Sequence, residues 1–99
     1  MYQLRQTSVF EKWLAGLRDN RAKARILVRL ESLRLGNPGD SKSVGEGVTE
    51  LRIHLGPGYR VYFARRRTVV IILLCGGNKS SQARDIRRAQ KLLSEIDER

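Results

Sequence analysis

Three basic residues and one histidine recur in the second half of the chain in a pattern that could stabilise negative charge. Arg52 and His54 alternate with apolar residues in ELRIHL. Arg60 follows in GYRVYF, and Lys79 comes after the glycine pair of CGGNK. Arginine grips phosphate oxygens, lysine supplies positive charge beside them, and histidine can transfer protons near neutral pH. These residue types suit metal-free cleavage of RNA, in which a 2′-hydroxyl loses a proton and attacks the adjacent phosphate.

The segments that must position these side chains read as a β-hairpin followed by a third strand. Residues 48–55 and 59–65 alternate apolar and polar side chains around a glycine–proline–glycine tip, and residues 68–75 are apolar without alternation. The third strand runs antiparallel to the second, so its end returns beside the start of the second strand. Lys79, just past that end, is therefore expected close to the basic side chains of the hairpin.

The hydrophobic pattern also predicts the register of the hairpin. In the favoured register, His54 lies opposite Arg60 and Arg52 lies opposite Tyr62 on a polar face, while apolar side chains meet on the other face. Directly opposed cations cost up to about 1 kcal/mol per pair, so a sequence selected for stability alone would place an acid across from Arg60. Two interpretations stay open: a polar face that is only solvated, or a site that binds or cleaves phosphate.

The rest of the chain supplies helices around this sheet. YQLRQ predicts a short first strand, and two apolar stripes separated by DN at 19–20 predict a helical hairpin that ends at Gly36. The segment GNPGDSKSVGEG is expected to be a mobile loop, and a final helix should begin after Ser80 or Ser81. The predicted fold class is α+β in a single domain, 1–99, with the order β-α-α-β-β-β-α, an antiparallel sheet, an N-terminal helical hairpin and a C-terminal helix.

Composition limits the partners and the chemistry. Twenty Lys and Arg against ten Asp and Glu give a net charge of +10, which favours nucleic acid first and an anionic membrane second; a basic but inert surface is the alternative. Cys75 and His54 are each the only residue of their type, so we expect no disulfide within the chain, no metal and no cofactor. Early charges and short apolar runs predict a cytoplasmic protein without a membrane partner.

Two longer motifs resemble a known group of proteins. ELRIHLGPGYRVYF and LLCGGNKSSQARDIRRAQKLL are similar to the RelE/ParE toxin superfamily, and most similar to its HigB-like addiction-module killer proteins. The resemblance covers nearly the whole chain and implies a RelE-like fold and a cytoplasmic toxin of a type II toxin–antitoxin pair. RelE-like members cut mRNA in the ribosomal A site without metal. The implied partners are the ribosome, mRNA and an antitoxin, usually a helix-turn-helix protein encoded beside the toxin.

Carried over position by position, the resemblance implies a set of site residues. RelE has lysines where this chain has Arg52 and His54, and a tyrosine in its final helix where the nearest residues here are Gln82 and Asp85. The general acid and base are therefore unassigned, and Asp85 is interpreted as a first-turn residue that interacts with the helix dipole. The implied catalytic residues are Arg52, His54, Arg60 and Lys79. The candidate RNA-binding residues are Tyr62, Gln82, Arg84, Arg87 and Arg88.

Two other functions remain as alternatives. A ParE-like member of the same superfamily would inhibit DNA gyrase by binding and would not need a phosphate-cleaving cluster. A basic nucleic-acid-binding module without activity would use the same side chains for affinity alone. Tyr62 could stack on a base or simply pack in the hairpin, whereas Trp13 and Cys75 are expected in the core.

Overall fold

The computed structural model describes residues 1–98, which form five strands and three α-helices. The predicted order of elements is present, with one additional strand inserted before the hairpin. In chain order the elements are β1 (Gln3–Gln6), α1 (Ser8–Ala15), α2 (Asn20–Arg34), β2 (Ser41–Gly45), β3 (Val48–Ile53), β4 (Tyr59–Arg66), β5 (Val70–Asn78), a 3-10 turn (Lys79–Ser81) and α3 (Gln82–Asp97).

The sheet is mixed, so the prediction of an antiparallel sheet is wrong for one strand. Its order is β1-β5-β4-β3-β2, and β1 pairs with β5 in parallel while the other neighbours are antiparallel. Thr7 extends the β1 contact, since its backbone N–H donates to Leu73 O at 3.1 Å and its hydroxyl to Leu74 O at 2.6 Å. Alternation in YQLRQ predicts a strand and its faces but carries no information on strand direction.

The predicted mobile loop contains strand β2, which pairs with β3 at the edge of the sheet. Its approach is fixed by Arg29 of α2, whose guanidinium donates to the carbonyl oxygens of Pro38 at 2.9 Å and Asp40 at 3.2 Å. The same guanidinium donates to the carbonyl oxygen of Arg52. The glycine- and serine-rich segment therefore pairs with β3 beside an arginine of α2 that holds the backbone just before β2 in place.

Both faces of the sheet are buried, which argues against the interpretation that the polar face of the hairpin is only solvated. Helices α1 and α2 cover one face, and α3 covers the other. The core cluster on the α1–α2 side contains Phe10, Ile26, Leu30, Leu33, Leu51, Ile53, Val61, Phe63, Ile71 and Leu73. The cluster under α3 contains Val48, Tyr62, Ala64, Leu74, Cys75, Ala89 and Leu93.

The register of the hairpin differs from the predicted one by two residues. Arg52 pairs with Arg60 and Ile53 with Tyr59, whereas the sequence predicted His54 opposite Arg60. The connection is longer than a three-residue tip, because residues 54–58 all lie outside the strands. Side chains alternate with a period of two, so this shift keeps every residue on its predicted face and changes only its partner.

The turn is closed by two glycines in the left-handed region. Gly56 has a φ of 58° and Gly58 a φ of 77°, conformations that glycine adopts without steric cost. Backbone bonds from Leu55 N to Ile53 O at 3.0 Å and from Gly58 N to Leu55 O at 3.1 Å complete the turn. His54 is thereby removed from the ladder and placed at its end.

The glycine pair in β5 permits close packing on both sides of the strand. A Cβ on Gly76 would lie 2.3 to 2.5 Å from three ring atoms of Trp13, on the α1 side. A Cβ on Gly77 would lie 1.8 Å from Asp85 Oδ2 and 2.9 Å from Ser81 Oγ, at the start of α3. Since real Cβ contacts are not this short, both positions require glycine for space rather than for backbone freedom.

Gly76→Ala is expected to lower the free energy of unfolding by about 1–3 kcal/mol, because the added methyl overpacks the Trp13 ring. Chemical denaturation measures this value. In a Trp13→Ala background the same glycine substitution should cost clearly less, since the clashing ring is gone. An equal cost in both backgrounds would contradict the steric explanation.

Candidate active site

Two arginines face each other across the hairpin on the α3 side of the sheet. Arg52 in β3 and Arg60 in β4 are direct partners in the ladder. Lys79 lies beside them, because a Cβ on Gly58 would be 3.3 Å from Lys79 Cβ and 3.4 Å from Arg60 Nη1. The backbone N–H of Lys79 also donates to Pro57 O at 3.4 Å. Arg60 and Lys79 thus meet at the hairpin turn, in keeping with the predicted return of the chain.

A buried carboxylate that the sequence analysis did not single out lies beneath these cations. Glu50 has no solvent-exposed surface. Its Oε1 accepts from Arg52 Nε at 2.9 Å and is 3.9 Å from Arg60 Nε. Its Oε2 accepts from Tyr62 Oη at 3.0 Å and from Gln82 Nε2 at 2.8 Å. One acid therefore connects β3, β4 and the first residue of α3.

The protonation of this carboxyl reflects two opposing effects. Burial raises the pKa of Glu50, but hydrogen bonds from Arg52, Gln82 and Tyr62 outweigh it and hold the pKa below its ordinary value of 4.5. In return, the hydrogen bond to Glu50 raises the pKa of Arg52. The pair is ionised at neutral pH, so the repulsion between the facing arginines is offset from within the fold.

Arg60 is the most enclosed of the cations, with 7% of its surface exposed. Its Nη1 donates to Gly58 O at 3.2 Å and more weakly to Tyr59 O at 3.4 Å. Its Nε is buried and has no hydrogen-bond partner among residues 1–98, and 3.9 Å to the Glu50 carboxylate is too long for a hydrogen bond. The positive charge of Arg60 is therefore only partly compensated by the protein.

Two candidate RNA-binding residues, Tyr62 and Gln82, donate hydrogen bonds to the buried Glu50 carboxylate. Tyr62 is fully buried, and burial together with the neighbouring carboxylate raises the pKa of its hydroxyl. A side chain enclosed in this way cannot stack on a base in the observed arrangement, so the packing interpretation of Tyr62 is the one the structure supports. Gln82 is partly buried, and its amide points to the same carboxylate.

His54 lies outside the ladder in which the two arginines pair. It follows the last residue of β3, its side chain is 71% exposed, and its Nε2 contacts a carboxylate oxygen of Asp40 just before β2. The hydrogen bond to His54 holds the pKa of Asp40 below its usual range. The prediction that His54 lies directly opposite Arg60 is therefore wrong, because the longer turn moves His54 out of the ladder and toward the β2 edge.

The remaining candidates lie on α3. Arg84 is 76% exposed and approaches Asp85 only to 3.7 Å, and Arg87 and Arg88 are also exposed. Asp85 is buried in the first turn of α3, where its Oδ2 accepts from Ser81 Oγ. This position agrees with the first-turn interpretation of Asp85 and leaves the three arginines as a separate basic surface.

Comparison with known proteins identifies the family to which the chain belongs. A family model described as "Phage derived protein Gp49-like (DUF891)" matches residues 12–94. The chain belongs to this family. It is also 49% identical over 94 residues, 95% of each chain, to a Haemophilus influenzae protein that carries the name "Uncharacterized protein". The Gp49-like family is a toxin family of toxin–antitoxin systems, related to RelE and HigB, and implies a cognate antitoxin as partner.

Other reactive groups of this Gp49-like chain are unavailable for chemistry or dispersed. Cys75 is buried as predicted, in the core cluster under α3, and burial raises the pKa of its thiol to about 12. Within residues 1–98, no three His, Cys, Asp or Glu side chains group closely enough to hold a metal ion. None of the helices over the same residues combines the length and apolar character that crossing a membrane requires.

Two acids that organise the site, Glu50 and Asp40, were missed by the sequence analysis. A signal for Glu50 was present, since residues 50, 52 and 54 share one face of an alternating strand. Its burial could not be read from the hairpin, because α3 provides the cover. Asp40 carries no comparable signal, since its contact depends on the unexpected pairing of β2 with β3.

Glu50→Gln is expected to lower the free energy of unfolding at neutral pH by about 3 kcal/mol, because one partner of a buried charge pair is removed. The folded-state pKa of Glu50 is depressed, so its contribution is present above the unfolded value of 4.5 and is lost as pH falls through the folded value. The difference in stability between wild type and variant should therefore shrink in acid. Denaturant titrations of both proteins from neutral pH to pH values below 4.5 measure this difference in stability.

Glu31→Gln is the matched control for this experiment, since Glu31 pairs with Arg34 on the exposed surface of α2. It should change stability little at any pH. A Glu50→Gln protein as stable as wild type at neutral pH, or one whose deficit stays constant in acid, would show that the carboxylate does not hold the site together.

Proposed function

We propose that this chain is the toxin of a type II toxin–antitoxin pair and acts as a metal-independent, ribosome-dependent mRNA endoribonuclease. The observation that carries the proposal is the enclosed Arg60 guanidinium, which faces Arg52, adjoins Lys79 and is only partly neutralised by Glu50. Arginines that face each other in adjacent strands repel and are destabilising, so selection for stability alone would not place them at the end of a hairpin. Membership in a toxin family supports the same conclusion.

The proposed reaction uses the RNA's own nucleophile. The 2′-hydroxyl gives up its proton, its oxygen bonds to the adjacent phosphorus, and the bond from phosphorus to the 5′-oxygen breaks. That oxygen takes up a proton as it leaves. The products are a 2′,3′-cyclic phosphate and a 5′-hydroxyl, and no oxidant or further reactant is consumed.

The arginines and the lysine are proposed to stabilise the charge that develops on the phosphate. Arg52 and Arg60 are held in place before the substrate arrives, one by a hydrogen bond to Glu50 and the other by backbone carbonyls. Preorganised donors of this kind are worth about 100- to 1000-fold in rate each, because they do not have to reorient during the reaction. Lys79 adds an exposed positive charge beside them.

Proton transfer is assigned to His54. Its Nε2 contacts Asp40, which leaves Nδ1 as the ring nitrogen that takes the 2′-hydroxyl proton. A carboxylate that holds one ring nitrogen also fixes the orientation of the ring and stabilises it when it becomes protonated. We assign Asp40 a positioning role and His54 the role of general base.

The proposed partners follow from charge and from family membership. A net charge of +10 favours approach to the ribosome, whose RNA is a polyanion, and this association should weaken with salt. The proposed antitoxin is a more acidic helix-turn-helix protein encoded beside the toxin. Both partners imply that the protein works in the cytoplasm.

Arg60→Ala is expected to slow cleavage of A-site mRNA on programmed ribosomes by about 100-fold or more, because a preorganised cation is lost. Lys79→Ala tests the same cluster at an exposed position that makes no side-chain contribution to the core. Arg25→Ala, an equal loss of charge on the exposed side of α2, should leave the rate unchanged. Cleavage is mapped by primer extension, and circular dichroism checks the fold of each variant.

Two outcomes would replace this function by another. An absence of cleavage on ribosomes combined with inhibition of DNA gyrase would indicate a ParE-like toxin. RNA binding without cleavage at any protein concentration would indicate a binding module. Full cleavage by both Arg60→Ala and Lys79→Ala would mean that the reaction takes place on a different surface.

A further inference from the structure

A groove of about 400 Å³ lies where α1, α3 and the end of β5 meet. It contains one aromatic ring and two cations but no carboxylate, so its charge complements an anion. Trp13 is partly exposed in it, and Lys12 and Arg88 are exposed on opposite helices. The residues that line it are Ser8, Val9, Lys12, Trp13, Gly76 and Arg88.

The indole ring in this groove is held in place by its neighbours. Gly76 approaches it so closely that a Cβ would lie within 2.5 Å of three ring atoms. Phe10 packs against it with ring centroids 5.7 Å apart, and Tyr59 meets it edge-on at 6.4 Å. A ring fixed on several sides loses little conformational freedom when a ligand is placed against its exposed part.

The groove and the cationic cluster proposed to cleave RNA lie at the same end of β5 but on opposite faces of the sheet. Gly76 on the floor of the groove precedes Gly77, which pairs with Arg60 in the neighbouring strand. The strand spacing and the rise per residue place the backbones of Gly76 and Arg60 about 6 Å apart. Successive strand residues point to opposite faces, so Tyr59 contacts Trp13 on the α1 side while Arg60 faces α3. An RNA strand that reaches both places must therefore pass around the end of the sheet.

We propose that this groove binds a nucleotide of the RNA single strand beyond the scissile phosphate, with its base against Trp13 and its phosphates between Lys12 and Arg88. The proposal rests on the proposed ribonuclease function and names a subsite for the RNA single strand. Aromatic rings combined with cations along a groove are the usual means of holding single-stranded nucleic acid without regard to sequence. An acidic protein segment would satisfy the cations but would leave the indole without a stacking partner.

Trp13 is the only tryptophan in the chain, so its fluorescence reports on this groove directly. A short single-stranded RNA carrying 2′-O-methyl groups, which cannot be cleaved, is expected to quench the emission in a saturable way. Poly-glutamate has negative charge but no bases and is expected to leave the emission unchanged. Equal quenching by poly-glutamate would overturn the proposal in favour of an acidic protein partner.

The double variant Lys12→Ala/Arg88→Ala tests the cations. Loss of two phosphate contacts should make the dependence of log affinity on log salt shallower by about 1.4, at ~0.7 per contact for a single strand. The matched control is Arg21→Ala/Arg25→Ala, which removes the same charge from exposed positions of α2 and should keep the wild-type slope. Identical slopes for the two double variants would overturn the proposed phosphate contacts.

A third variant separates this proposal from the function on which it rests. Arg60→Ala should abolish most cleavage on ribosomes and still show the quenching by RNA, because the groove is intact. Quenching by wild-type protein that cuts no mRNA would support the groove while refuting the nuclease. Cleavage by wild-type protein without any change in Trp13 emission would refute the groove alone.

Discussion

The interaction on which the rest of the structure depends is the buried Glu50 carboxylate beneath two facing arginines. Arg52 and Arg60 occupy partner positions in adjacent strands, where like charges repel. Glu50 offsets this repulsion from below, and its own burial is tolerable because Arg52, Tyr62 and Gln82 satisfy its oxygens. The same contacts tie the first residue of α3 to the sheet. The cationic cluster and the docking of α3 are therefore linked through Glu50.

A second constraint acts at the end of β5, where the strand has no side chains at two successive positions. Gly76 admits the Trp13 ring of α1 on one side, and Gly77 admits Asp85 of α3 on the other. Both helices can therefore reach the same end of the sheet, which is also where the hairpin turns and where Lys79 begins the 3-10 turn. The glycine pair lets Trp13 and Asp85 approach β5 from opposite sides, so the basic cluster and the aromatic groove lie on either side of the same strand.

The sequence allowed the faces of the hairpin to be predicted, but not the partners across it. Alternation has a period of two, so Arg52 and Arg60 were assigned to the correct face even though the register was wrong by two residues. The error arose from the turn, whose five residues use positive φ at Gly56 and Gly58 and remove His54 from the ladder. Features that depend on distant contacts could not be predicted from the sequence. Arg29 of α2 holds the segment before β2, and α3 covers Tyr62. Local periodicity determines faces, whereas direction, cover and edge pairing are decided by the rest of the chain.

Under the proposed function, charge stabilisation and proton transfer take place in different parts of the site. Arg52 and Arg60 are fixed by a buried acid whose ionisation is protected by hydrogen bonds, so their geometry should vary little over the neutral pH range. His54 instead lies exposed at the β2 edge, and only Asp40 orients it. Under the proposed function, the base can therefore adjust its position at the β2 edge while the cations stay in place. The phosphate-binding part of the proposed site does not depend on which side chain transfers the proton.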